Sequence, residues 1–235
     1  MEHFARQYYN NAMTTLPEHF LFRLQFKAAR VEKPLAALVP ETLSADFAIP
    51  FCERYPLAGR TAKNDTATFD FRLGWHERGL FLTAILTGKQ RPPLCERTRP
   101  ETSDALSFFF DTRDVRDIHR ATKFCHRFLF LPTETDVKSD AGPLAFWLPI
   151  HRAKAHPNPI ETARFQLAAA VRKDGWSLSA FLPADTLTGY DPNEHSRVGF
   201  WFSLFDNELG RFNLQHPSTF PAEEDPSLWS TLDLE

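Results

Sequence analysis

Aromatic and hydroxyl side chains alternate with apolar ones along three stretches of the sequence. In a strand, successive side chains point to opposite faces, so the polar and aromatic members would share one face. This mixed face consists of Ser107, Phe109, Asp111, Ser177, Ser179, Phe181, Trp201, Ser203 and Phe205. A flat ring packs on the apolar face of a pyranose while hydroxyls form hydrogen bonds, so the face suits a saccharide. The alternative is that an N-terminal arm or residues 132–160 cover it, since strand aromatics usually serve packing.

A dense charged turn follows the first stretch and contains Asp111, Arg113, Asp114, Arg116 and Asp117. Its carboxylates suit hydrogen bonds to ligand hydroxyls, or the ligation of a structural calcium ion, which prefers oxygen ligands. The alternative is a solvated turn held by local Asp–Arg pairs, which contribute about 0–1 kcal/mol when exposed.

A group of imidazoles and a thiol, His119, Cys125 and His126, raises the hypothesis of a metal-dependent enzyme. Cys125 and His126 are adjacent, so in a strand they point to opposite faces and do not share a site. His126 shares its face with Phe128, which favours a packed imidazole instead. His119, His126 and Asp111 are the candidate metal ligands, and no pattern in the sequence predicts a catalytic residue.

The composition argues against several classes of partner. The chain has 235 residues and a net charge of −3, without clustered Lys or Arg residues, so it lacks the basic footprint of a nucleic-acid-binding protein. No apolar run approaches the roughly 18 residues that span a bilayer, and the first residues lack the apolar core of a signal peptide. The odd number of widely spaced cysteines argues against a disulfide framework. We therefore expect a soluble cytoplasmic protein with no membrane or nucleic-acid partner.

Two hairpins give the clearest prediction of secondary structure. Residues 69–75 turn at His76–Gly79 into 80–86, and residues 165–171 turn at Lys173–Gly175 into 176–182. Further strands are expected over 20–26, 105–111, 124–131, 198–205, 211–214 and 229–234. About ten strands without a helical period predict an all-β fold, an antiparallel β-sandwich of jelly-roll or immunoglobulin-like type.

The apolar side of the alternation predicts the core between the sheets. Its members are Leu106, Phe108, Phe110, Trp176, Leu178, Ala180, Leu182, Val198, Phe200, Phe202 and Leu204. We expect one domain over residues 1–235, with an N-terminal arm over 1–20 and a proline-rich excursion over 132–160.

Five short motifs follow one another along the chain: Trp75–Leu82, Asp104–Arg113, Gly175–Pro183, Val198–Phe200 and Asp225–Leu232. In this order they resemble the W-D-E-x-x-L-Y-V, D-S-V-E-L-F-I-D-P-R, G-Y-x-V-E-A-x-I-P, I-G-F-N and D-P-S-x-(W/F)-G-x-L motifs of family 9 carbohydrate-binding modules and their DOMON-like relatives. The resemblance covers roughly residues 65–235, and it implies a β-sandwich that binds a saccharide.

The chain departs from this family at the residues that hold the sugar. In sugar-binding members two tryptophans sandwich a terminal sugar, one before the D-S-V-E strand and one before the closing D-P-S. The corresponding places here hold Pro100-Glu101-Thr102 and Glu223-Glu224, and Ser107 replaces the strand glutamate. The resemblance therefore implies the fold more directly than the ligand.

These features predict a non-catalytic domain that binds a small saccharide or related polyol, with no cofactor unless calcium has a structural role. The predicted ligand-binding residues are Phe109, Asp111, Arg113, His126, Arg127 and Trp201. One alternative is a protein-interaction scaffold that has lost sugar binding, because both platform tryptophans are missing. The metal-dependent enzyme is a further alternative.

Overall fold

The computed structural model describes residues 23–32, 37–50, 53–55, 66–135, 142–215 and 220–235. The strands in these residues are β1 Gln25–Arg30, β2 Glu53–Tyr55, β3 Thr68–His76, β4 Gly79–Thr87, β5 Ala105–Asp111, β6 Cys125–Leu131, β7 Leu144–Trp147, β8 Gln166–Arg172, β9 Gly175–Pro183, β10 Arg197–Asp206, β11 Gly210–Asn213 and β12 Ser230–Leu234. Short 3-10 helices span Ala45–Phe47, Pro100–Thr102, Thr162–Arg164, Ala184–Thr186 and Pro226–Leu228. The described residues contain no α-helix, which confirms the predicted all-β class, and no helix among them could span a membrane.

The strands form one mixed sheet in the order β7-β6-β5-β10-β12-β1-β3-β4-β9-β8, and β11 joins β2 to β10. Strand β1 is the connection between two parts of this sheet. Its residues Gln25–Ala28 pair with β12 and its residues Ala29–Arg30 pair with β3, in both cases in parallel. The sheet is therefore not antiparallel throughout, because β1 runs in the same direction as both neighbours. We call β7-β6-β5-β10-β12 with β11 and β2 the β5 half, and β3-β4-β9-β8 the β4 half.

The two halves face each other across an aromatic core. In a flat sheet β3 and β10 would lie three strand spacings apart, roughly 14 Å. The ring centroids of Phe71 on β3 and Phe202 on β10 are instead 4.4 Å apart, and Phe71 also contacts Phe108 on β5 at 6.0 Å. The sheet must therefore fold over at β1. All eleven predicted core residues are buried between the halves. Full burial of one large apolar side chain stabilises a fold by about 1.5–3 kcal/mol.

Both predicted hairpins form, and a glycine at each turn permits the close approach of the strands. Gly79 has a φ of 145°, and a Cβ there would lie 2.0 Å from the carbonyl oxygen of Leu182. A Cβ on Gly175 would lie 1.9 Å from the carbonyl oxygen of Leu86. Any side chain at either place would push β4 and β9 apart.

Other parts of the chain differ from the sequence-based expectation. Strand β7 lies inside the predicted excursion over 132–160, where it pairs with β6. Strand β1 begins at Gln25, later than expected, and the arm predicted over 1–20 lies outside the described residues. The single-domain and jelly-roll predictions stay predictions.

Candidate functional site

The outer face of the β5 half, which points away from the core, carries a polar hollow of about 290 Å³. Strand residues Ala105, Ser107, Arg127, Leu129, Phe205 and Arg211 line it together with Glu101, Ser103 and Glu223. A smaller hollow of about 200 Å³ adjoins it and shares Arg211 and Glu223. We call the first the main hollow and the second the side hollow.

Strand register explains why a depression forms here. Ser107 on β5 lies opposite Ser203 on β10, and Ala105 is the next β5 residue on the same face, so three small side chains occupy the centre of the face. Arg127 lies opposite Phe109 and Arg211 lies opposite Phe205, which puts the two arginines on opposite sides of the small residues. Long side chains around short ones on a rigid sheet leave a hollow with fixed walls.

The two arginines, which we call the arginine pair, contact acidic side chains from the loops. An Arg127 guanidinium nitrogen lies 2.9 Å from Glu101 and 3.7 Å from Glu223. Arg211 lies 3.6 Å from the other carboxylate oxygen of Glu223. Each guanidinium also stacks on a phenylalanine, Arg127 at 5.6 Å above Phe109 and Arg211 at 5.1 Å above Phe205. The rings hold the planar cations in place. Of the carboxylates, that of Glu101 belongs to the exposed 3-10 helix Pro100–Thr102 and that of Glu223 belongs to a half-buried turn.

The aromatic residues predicted to contact a ligand lie mostly beneath this surface. Phe109 is fully buried, and its ring packs against Trp201 at 5.2 Å and Trp229 at 5.6 Å. Trp201 lines the side hollow but is only 3% exposed, and its indole N–H has no hydrogen-bond partner among the described residues. The surface therefore offers hydrogen-bonding groups rather than an exposed aromatic platform.

The charged turn is held together by its own hydrogen bonds. The buried Asp111 carboxylate accepts backbone N–H groups of Arg113 and Val115, each at 3.0 Å. Burial raises the pKa of Asp111, and these two hydrogen bonds oppose the shift. Arg113 donates to the carbonyl oxygen of Gly189 and stacks on Phe124 at 4.5 Å. Neither Asp111 nor Arg113 lines the main hollow, and the structural calcium ion stays a prediction.

His126 lies on the opposite face of β6 from Arg127. It is completely buried, and its ring stacks on Phe128 at 5.8 Å. Burial lowers the pKa of His126 to about 4, and the backbone of Thr188 opposes this shift only in part. His126 is therefore a neutral core residue that does not line the main hollow.

The other metal candidates do not gather around one point. The exposed His119 Nδ1 lies 3.1 Å from both Asp225 Oδ2 and Ser227 Oγ. Burial raises the pKa of the Cys125 thiol to about 12, so the thiol is neutral in the folded protein at neutral pH. Across the described part of the chain, no three His, Cys, Asp or Glu side chains converge in a way that would hold a metal ion.

A second ionic group, the Lys89 cluster, lies buried where β5 begins and β10 ends. The Lys89 ammonium contacts Asp104 at 3.0 Å and also contacts Asp206, and all three side chains are almost fully buried. Asp104 additionally accepts hydrogen bonds from Asn207, and Asp206 accepts the backbone N–H of Leu209 at 2.8 Å. Burial lowers the pKa of Lys89, but the two carboxylates outweigh this effect and raise it overall. The cluster is saturated by internal contacts, which makes it a structural element.

A larger groove of about 610 Å³ lies elsewhere, between residues 158–164 and 184–190. Its walls are loops and two short 3-10 helices, and its charged residues Arg164 and Asp185 pair with each other at 2.5 Å. The groove has no set of converging strand side chains, so its chemistry favours a ligand less than that of the main hollow.

The structure thus brings together Phe109, Arg127 and Trp201 and separates them from Asp111, Arg113 and His126. It also adds Arg211, which the sequence analysis did not select. Arg211 could have been selected from the sequence, because it begins a short predicted strand next to the predicted strand that carries Trp201. In the structure these two strands, β11 and β10, are paired. Glu101 and Glu223 were noted only as places where the family's tryptophans are missing.

No protein-family model and no curated protein sequence matches the chain. Its structure is similar to that of a family 9 carbohydrate-binding module from Caldicellulosiruptor kristjanssonii in complex with cellotriose, with a TM-score of 0.59 and 15% identity over 90% of this chain and 93% of the other. A module of the same family from that organism, in complex with glucose, gives a TM-score of 0.58 and 13% identity over 90% and 95%. At such identities the likeness concerns the fold. The resemblance carried by the five motifs is thereby confirmed as a likeness of fold.

Proposed function

We propose that the chain is a binding domain whose main hollow takes a saccharide or related polyol. One observation carries this proposal. The two chain segments that stand where the family's sugar-sandwiching tryptophans would be, at Glu101 and at Glu223, both line the main hollow. The fold resemblance and the polar hollow thus point to the same surface, although the residues at its sides have changed from aromatic to acidic.

The residues of the hollow favour recognition through hydrogen bonds rather than stacking. Arginine offers five N–H donors in a fixed fork, and glutamate offers acceptors, so arginine and glutamate together match hydroxyl groups that both donate and accept. The hydroxyl of Ser107 adds a further partner at the base of the main hollow. A pocket of about 290 Å³ lies at the small end of the range for ligand sites, which suits one sugar ring.

Filling the hollow tests the proposal. Ser107→Phe puts a large ring on the floor of the main hollow, whereas Val171→Phe puts the same ring on an exposed position of the edge strand β8. Calorimetric titration with glucose, cellotriose and methyl glucuronide should show binding of at least one to the original protein and to Val171→Phe, and a loss in Ser107→Phe. Binding that survives in Ser107→Phe, or no binding of any saccharide to the original protein, would overturn it.

A further inference from the structure

The arginine pair holds a carboxylate loosely between two strand-borne guanidinium groups. One Glu223 oxygen lies 3.7 Å from Arg127 and the other lies 3.6 Å from Arg211. Both distances exceed the 2.7–3.2 Å of an N–H···O hydrogen bond, so the carboxylate bridges the pair without bonding closely to either cation. Glu223 belongs to a loop and its side chain is 41% exposed.

Arg127 keeps an unused donor in this arrangement. Its Nε is buried and has no hydrogen-bond partner among the described residues, although the guanidinium contacts Glu101. A buried N–H group without a partner costs free energy, and an acceptor that reaches it would recover that cost. Arg127 is only 14% exposed, so its orientation is set by the sheet beneath it rather than by solvent.

We infer that the main hollow takes a saccharide bearing a carboxylate, such as a uronic acid, whose carboxylate replaces that of Glu223 between Arg127 and Arg211. This inference rests on the proposed function and specifies its ligand. The ligand carboxylate forms charge-assisted hydrogen bonds at normal length with the arginine pair, and these are roughly twice as strong as neutral ones. The ring hydroxyls lie over Ser107.

Displacement of Glu223 costs little because the side chain is exposed. Its contacts with the arginine pair are long, and ion pairs of exposed side chains contribute little to stability. Once it swings into solvent, the Glu223 charge is screened from the bound ligand by water and salt. Glu101, at 58% exposure, can move in the same way.

A matched pair of ligands tests the inference. Methyl glucuronide and methyl glucoside differ only at C6, which is a carboxylate in the first and a hydroxymethyl group in the second. We expect calorimetry to show about tenfold tighter binding of the glucuronide at low salt, with an advantage that shrinks as salt rises. Glu223→Gln should tighten glucuronide binding by about threefold because it removes the competing charge, whereas Arg127→Gln and Arg211→Gln should each weaken it about tenfold. Glu77→Gln removes an exposed Arg30 partner far along the sheet and should change nothing.

The outcomes separate the two proposals. Equal binding of both ligands, lost in Ser107→Phe, would overturn the inference and leave the proposed function in place. An unchanged or weakened glucuronide affinity in Glu223→Gln would also overturn the inference. If neither ligand nor any other saccharide binds, both proposals fall.

Discussion

Two ionic groups beside strand β5 have similar composition and opposite character. In the Lys89 cluster one cation contacts two carboxylates, and the carboxylates accept further hydrogen bonds from the chain. In the arginine pair two cations share Glu223 at distances beyond hydrogen-bond length. The two groups differ in burial and in how fully their charges are paired rather than in residue type, and on this difference we assign fold stability to the Lys89 cluster and propose binding for the arginine pair.

The sharpest test of this contrast removes the buried ammonium. Lys89→Met leaves two carboxylates buried without their cation, and we expect the free energy of unfolding to fall by about 3–5 kcal/mol. The control is Lys27→Met, which breaks the exposed pair with Glu235 and should leave the free energy of unfolding nearly unchanged. Urea unfolding of both variants gives the comparison, and equal losses would show that the Lys89 cluster is not structural.

The stability of the protein should depend on pH through the inner face of β6, where His126 is buried. Its pKa in the folded protein is about 4, below the ordinary value of 6.5, so the unfolded chain binds a proton first as the pH falls. The stability gained by keeping the imidazole neutral in the folded state is complete above pH 6.5 and is lost as the pH falls towards 4. The free energy of unfolding should therefore fall by about 2 kcal/mol between pH 7 and 5.

Replacement of His126 should remove that part of the pH dependence. We expect the unfolding free energy of His126→Leu to vary less between pH 7 and 5 than that of the original protein, as measured by urea unfolding at each pH. His119→Leu, which changes an exposed imidazole on a loop, is the control and should keep the original slope. A slope that is unchanged in His126→Leu would mean that His126 is already protonated or solvated in the folded state.

The smallest change in the free energy of unfolding is expected at Glu223, for which we propose a role in binding rather than in stability. Glu223→Gln removes a charge from the main hollow, yet its contacts are long and exposed, so the unfolding free energy should stay within about 0.5 kcal/mol. Thermal unfolding checks this directly. A loss of several kcal/mol would place Glu223 in the same structural class as Asp206 and contradict the distinction between the two ionic groups.

Much of the fold could be predicted because local patterns agree with it. Phe108 and Phe110 alternate with Ser107 and Phe109 at period two, and this alternation alone identifies the inner side of β5. The parallel pairing of β1 could not be read in this way, since strand direction depends on partners that are distant in sequence. Strand β7 was missed because the surrounding prolines suggested an irregular segment.

The site was predictable only in part, for a physical reason. Alternation correctly put Phe109 and Trp201 on the outer side of their strands, but it could not show that Trp229 packs against Phe109 and helps to bury it. Burial depends on how loops such as 220–229 return over the sheet. For the same reason, the meeting of Glu223 with Arg127 and Arg211 appears only once the chain is folded.

The proposal that a saccharide binds in the main hollow is tested most directly by mapping which residues the saccharide contacts. Methyl glucuronide and cellotriose are added in turn while backbone amide chemical shifts are followed by nuclear magnetic resonance. We expect saturable shifts centred on Ser107, Arg127, Ser203 and Arg211. Saturable shifts confined to the groove between residues 158–164 and 184–190, or no saturable shift with either ligand, would contradict it.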